Sequence, residues 1–118
     1  MIHYHTPKSN DKDIENKSNG FNAVDFSLPV EELNVAEIKL SMRYPTIGFT
    51  RNTKSKMIVR VLGGEVVFVC EGESILLPKD SVVLVETGKA YAWDPKPETT
   101  LYIVSTPAWT PAQAELID

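Results

Sequence analysis

Residues 57–104 constrain this chain most: short runs rich in Val, Ile and Leu recur there, and Gly, Pro or acidic residues interrupt them every few positions. The apolar runs cover residues 57–62, 66–70, 74–77, 82–85, 90–94 and 100–105. Between them stand Gly63-Gly64, Glu71-Gly72-Glu73, Pro78 with Lys79-Asp80, Thr87-Gly88, and residues 95–98. Gly-Gly and Glu-Gly pairs are hairpin signals, because glycine reaches positive φ without strain. Many short strands at this spacing, with no helical period among them, predict a rolled antiparallel all-β barrel.

The flanks differ in character. Residues 35–42 alternate, with Ala36, Ile38, Leu40 and Met42 on one face and Glu37, Lys39 and Ser41 on the other, as a half-buried strand does. Residues 43–56 contain Pro45 and Gly48 among polar side chains, which predicts a loop or irregular strand entering the barrel. Residues 8–20 are nearly all Lys, Ser, Asn, Asp and Glu, with Ile14 the one apolar side chain, too little to offset ordering entropy. Residues 1–20 are therefore expected to be a flexible arm, and residues 21–118 a single barrel domain. At the other end, Thr110 suits a helix N-cap and Pro111 a first helical residue, which predicts a short helical tail fastened to the barrel wall by Trp109.

At 118 residues the chain has room for one domain that buries roughly two thirds of its unfolded surface. Its formal charge of −4 and lack of a basic stripe argue against nucleic acid as a partner. No apolar stretch approaches the length of a membrane helix, and the first residues lack the apolar segment of a signal peptide, so no membrane partner and a cytoplasmic location are expected. The single cysteine, Cys70, excludes an internal disulfide and a cysteine-built zinc site, and its apolar run marks it as a small core residue.

The sequence MIVRVLGGEVVFVCEGESILLPKDSVVLVETGKAYAW, followed by LYIVSTPAW, resembles the cupin family of small barrels, the RmlC-like jelly-roll superfamily, over about the C-terminal two thirds of the chain. The resemblance implies an all-β, cupin-type double-stranded β-helix. It also implies a metal site, whose first motif runs from Gly through His-x-His to Glu and a turn Gly, and whose second runs through Pro-x-Gly to a further His. With Gly64 as the turn glycine, the Glu falls on Met57 and the His pair on Arg51 and Thr53. A loop one residue longer moves the pair to Thr50 and Asn52. With Gly88 as the second glycine, the last His falls on Tyr91 and the Pro on Glu86. Three imidazoles and a carboxylate hold a divalent metal, whereas Arg, Thr and Met do not, and a phenol must first lose a proton of pKa near 10. The expectation is a cupin-like barrel with no metal and no cofactor.

Tyr91 and Trp93 share one face of their strand, and the resemblance turns that face inward. With Arg51, Thr53 and Met57 they would line a ligand pocket, aromatic below and polar at its mouth, suited to a small sugar-like or anionic ligand that stacks on a ring while Arg51 grips an anion. Alternatively both aromatics fill the barrel as core and Arg51 reaches solvent. His3 and His5 point the same way on an extended segment, either as half of a metal site or as two solvated side chains of the arm. Arg60 is either a surface charge or an interface residue. Because Val66, Phe68 and Cys70 face one way and Val67 and Val69 the other, both sides of that strand are apolar, and a homodimer would cover the outer one.

These residues weigh toward a metal-free barrel that binds a small polar, sugar-like or anionic molecule. The alternatives are a filled barrel serving dimerisation, or a metal-independent isomerase or epimerase with Tyr91 as its acid. The enzymatic reading lacks a base, since the histidines lie in the arm and Glu37 would have to turn inward.

Overall fold

The computed structural model describes Ile2 and residues 14–18, 20–26 and 28–117. The described residues form nine strands: β1 (Ile14–Ser18), β2 (Phe21–Phe26), β3 (Asn34–Leu40), β4 (Phe49–Asn52), β5 (Lys56–Cys70), β6 (Glu73–Leu77), β7 (Val82–Val85), β8 (Tyr91–Thr106) and β9 (Ala114–Ile117). All pair antiparallel. The fold is the antiparallel barrel that the turns and strands predict, in the cupin-type form that the resemblance implies.

β5 and β8, of 15 and 16 residues, hold the barrel together by passing through both of its sheets. The first half of β5 lies between β7 and the second half of β8, which continues through β3 and β2 to β1. The second half of β5 lies between β6 and the first half of β8, which meets β4 and then β9.

This continuity corrects the expected hairpin at Gly63-Gly64. The chain does not reverse there; the β5–β8 register shifts between Val61 and Gly63 and again between Gly63 and Glu65, so the glycines form a bulge that bends one long strand from sheet to sheet. Gly64 has φ +72°, and a Cβ there would stand 2.5 Å from the Glu98 carbonyl oxygen of β8. Residues 95–98 likewise belong to β8 rather than separating two strands. The fully buried Thr99 braces the bend, its hydroxyl donating to the Glu65 and Lys96 carbonyl oxygens, each 2.8 Å away. Glu71-Gly72 is the hairpin expected: both residues have positive φ (48° and 83°), as a two-residue loop between twisted strands requires.

The ends also differ from expectation. Residues 14–18 pair with β2, so this part of the expected arm is a sheet strand, while His3 and His5 lie outside the described residues. The tail has one 3₁₀ turn, Pro111–Gln113, and then turns extended as β9 against β4 instead of continuing as a helix. Gln113 makes that turn a fixture. Buried itself, its side-chain oxygen accepts from the Ser55 hydroxyl at 2.7 Å and its backbone carbonyl accepts from the Thr53 N–H at 3.0 Å.

Leu40, Val59, Val61, Val66 and Leu101 are fully buried and fill one end of the barrel. Phe68, Tyr91 and Trp93 pack over them, with the Phe68 and Trp93 ring centroids 4.6 Å apart and Tyr91 edge-on to Trp93 at 6.0 Å. Among the described residues, no helix is long and apolar enough to cross a membrane.

Candidate functional site

Above the aromatic layer the barrel stays open as a cavity of about 230 Å³. Sheet periodicity explains its lining. On β3 the inward set is Asn34, Ala36, Ile38 and Leu40, and register carries the same face to Asp25, Ala23 and Phe21 on β2 and to Ile103 and Ser105 on β8. Small residues at Ala23 and Ala36, where a filled barrel would carry larger ones, leave the space.

The opposite wall is aromatic. Tyr91 and Trp93 come from the start of β8; Tyr44 pairs its backbone with Trp93 through two 2.8 Å hydrogen bonds, and its ring stacks on Phe21 at 4.5 Å. The loop that delivers Tyr44 is braced by Arg43, whose guanidinium donates to the Pro45 and Gly48 carbonyls at 2.7 and 2.8 Å and lies over the Phe49 ring. Burial raises the Tyr44 phenol above its ordinary value. Burial first, and then the neighbouring Tyr44 and Cys70, push Tyr91 higher still. Both phenols are therefore neutral near pH 7 and offer the cavity an O–H donor and an acceptor, not a base.

Polar groups are few and placed. Thr50, Asn52 and Ser105 are each 3% exposed and line the cavity. Asn52 has its oxygen committed to the backbone N–H groups of Lys54 and Ser55, at 3.0 and 2.7 Å, and its buried Nδ2 has no hydrogen-bond partner among the described residues. Unpaired buried amide donors are costly. Trp109, Thr110, Pro111 and Ala114 close the space from the tail side, so Trp109 both anchors the tail and forms part of the wall.

Of the five site residues predicted from sequence, Arg51, Met57, Tyr91 and Trp93 meet around this cavity. Thr53 does not. It is exposed beyond the end of β4, and its hydroxyl donates to the Gln113 carbonyl at 3.0 Å. Arg51 stands at the rim, where Nη2 lies 2.6 Å from Glu115 Oε1 of the paired strand β9, so its charge already has a carboxylate partner. Glu37 is register-paired with Val24 and Tyr102, on the outward face, and supplies no base to the cavity. Cys70 is partly buried, and burial together with the adjacent Glu71 raises its thiol.

Sequence reasoning missed Tyr44, Asp25 and Asn34. Tyr44 lies in residues 43–56, which the sequence predicts as a loop or irregular strand with no inward face assigned. Asp25 sits on β2, where Phe21, Ala23 and Asp25 alternate with Asn22, Val24 and Phe26 and neither face is cleanly apolar; its place beside Phe21 and Ala23 was the available signal.

The metal that the cupin resemblance implies would need imidazole and carboxylate donors on this wall. The matched positions supply an ion-paired guanidinium, an outward hydroxyl, a thioether and a neutral phenol, which do not fit a divalent ion. Among the described residues no three His, Cys, Asp or Glu side chains gather as a metal site would require.

No protein-family model and no curated protein matches the sequence. Solved structures do match in shape. Pac13, described as a unique nucleoside dehydratase, aligns over 99% of this chain and 92% of its own with a TM-score of 0.81 and 11% identity. A Streptomyces Pac13 variant solved with uridine aligns equally well, at 11% identity over 99% of this chain and 91% of its own. KdgF from a Halomonas species covers 83% of this chain and 91% of its own at a TM-score of 0.68 and 14% identity. Salicylate 1,2-dioxygenase from Pseudaminobacter salicylatoxidans also reaches 0.68, at 18% identity, matching 79% of this chain to 28% of its own. Such likeness establishes the cupin-type fold.

Proposed function

We propose that this protein is a metal-free cupin-type barrel that binds one small, uncharged, ring-bearing molecule rich in hydroxyls, of nucleoside or sugar size. The observation that carries the reading is the cavity itself. It has two tyrosines and a tryptophan in its lining together with the hydroxyl side chains of Thr50 and Ser105, and lies slightly below the roughly 300–1,000 Å³ of typical small-molecule sites. Flat aromatic faces suit a base or the C–H face of a sugar, and hydroxyl groups suit the ring's polar edge.

An anionic ligand fits less well than a neutral one. Glu115 already neutralises Arg51, the one cation among the described residues of the lining. The open space also favours a container over a filled dimerisation module. The bound uridine of the Streptomyces neighbour lends support to a nucleoside-sized occupant.

A thermal-shift panel of nucleosides, monosaccharides, sugar phosphates and small carboxylic acids tests the reading. Neutral nucleosides or sugars are expected to raise the melting temperature and the anions are not; stabilisation confined to the anions would overturn the assignment.

We also propose that the chain pairs with a second copy of itself. Leu84, Ile58, Val104 and Val35 form one continuous row across the outer face of four neighbouring strands, with Ile58 and Leu84 about half exposed. A second subunit would cover this row.

A further inference from the structure

The tail after β8 is a piece of cavity wall that the barrel core does not hold. Trp109, Thr110, Pro111 and Ala114 line the space, and β9 then pairs along β4, its other edge unpaired among the described residues. Across residues 106–117 one residue is buried, and it is the polar Gln113. Ala108, Trp109 and Ile117 are half-buried, whereas Leu116 is 74% exposed.

Hydrogen bonds take the place of apolar burial. Gln113 Oε1 lies 2.7 Å from the Ser55 hydroxyl, and its Nε2 donates to the Ala108 carbonyl at 3.2 Å. Its own carbonyl accepts from the Thr53 N–H and from the Thr53 hydroxyl, each at 3.0 Å. Upstream, the Trp109 N–H donates to Asn34 Oδ1 and the Ala108 N–H to the Glu31 carbonyl, each at 2.9 Å. The Ser55 hydroxyl has one proton and two acceptors at 2.7 Å, Gln113 Oε1 and the Pro107 carbonyl, so it cannot satisfy both in full. When a segment detaches, bonds of this kind are exchanged for bonds to water, so each adds little net hold, whereas apolar burial is lost outright. A segment with few buried apolar contacts therefore opens while the core strands β5 and β8 stay folded.

We propose that residues 106–117 form a strap that gates the cavity, with Gln113 as the positioning residue that latches it. Undocked from β4, the strap takes Trp109, Thr110, Pro111 and Ala114 out of the wall and lets a ligand pass; docked, it encloses the ligand. The inference rests on the reading of the cavity as a ligand site.

Arg51 and Glu115 offer a way to hold the strap shut. They are register partners on β4 and β9, and such partners stand roughly 4.5–5.5 Å apart at Cα, within the span of a disulfide. In a Cys70→Ala background, the full chain with Arg51→Cys and Glu115→Cys is compared oxidised against reduced, by stopped-flow binding of uridine followed through the fluorescence of Trp93 and Trp109. Oxidation is expected to slow both association and dissociation at least about tenfold while their ratio changes little, and reduction to restore both. Unchanged rates in the oxidised protein would overturn the gate and leave the cavity reading standing. Amide hydrogen exchange of the wild type and Gln113→Ala needs neither crosslink nor ligand. Residues 108–117 are expected to exchange faster than β5 and β8 in the wild type, and about tenfold faster again in Gln113→Ala with β5 and β8 unmoved. Tail exchange unmoved by the substitution, or a rise shared equally by β5 and β8, would overturn the latch. Failure of uridine to bind the reduced protein and the wild type overturns the cavity reading, and the gate with it.

Discussion

Tyr91 shows how much of the site depends on single side chains. Its phenol is raised above the unfolded value of 10.0, so the native state holds this proton more tightly than the unfolded chain does. The stability this contributes is complete below pH 10 and declines as pH rises beyond it, because there the unfolded state releases protons that the native state keeps. Urea denaturation followed from about pH 9 to about pH 11 should show the midpoint falling, and Tyr91→Phe should flatten that fall. Arg51 predicts the opposite kind of result. Its pair with Glu115 is partly exposed on both sides, which limits its worth to about 0–1 kcal/mol. Arg51→Ala should therefore leave both the melting temperature and the affinity for a neutral ligand nearly unchanged; abolished binding would make the guanidinium a direct contact of that ligand. Gly64 is a third case. With positive φ and the Glu98 carbonyl where a Cβ would stand, Gly64→Ala should cost about 2 kcal/mol or more by denaturant unfolding.

At the scale of elements, the strands and most of their turns were legible because alternation and glycine chemistry are local. Glu71-Gly72 reads correctly for that reason. Gly63-Gly64 does not, because a glycine pair that closes a hairpin and one that bulges a long strand look alike until the partner strand is known. Here that partner, β8, follows some thirty residues later and bends at the same place. The tail misled in a similar way. Thr110-Pro111 has the chemistry of a helix start, yet β4 offers an open edge, and strand pairing there satisfies more backbone groups than one further helical turn would. The site was legible where the cupin resemblance fixed the positions, as at Met57 and Tyr91. It was obscured on β2, whose two faces are equally mixed, and in the loop that carries Tyr44. Trp93 ties these elements together by touching Phe68 and Tyr91 and pairing with Tyr44. Trp93→Ala should destabilise the barrel by about 3–5 kcal/mol in denaturant unfolding.

For the molecule as a whole, the inner surface is divided between a packed end and an open one, and the outer surface carries an unusual share of apolar side chains. Val82 and Leu84 on the edge strand β7 are 62% and 52% exposed, beside Ile58 at 50%. The ion pair of Arg60 with Asp80, at 3.2 Å, borders them. Light scattering is expected to give twice the chain mass of 13.2 kDa, and Ile58→Lys is expected to return it to one chain. The central claim, however, concerns the cavity. Its most direct measurement is calorimetric titration of a neutral nucleoside into the wild type and into Ala36→Leu, which narrows the space from β3 while keeping every polar residue of the lining. One molecule bound per chain in the wild type, and loss of that binding in a folded Ala36→Leu variant, is the result predicted. Absence of binding in the wild type, or equal binding in the narrowed variant, would contradict the account.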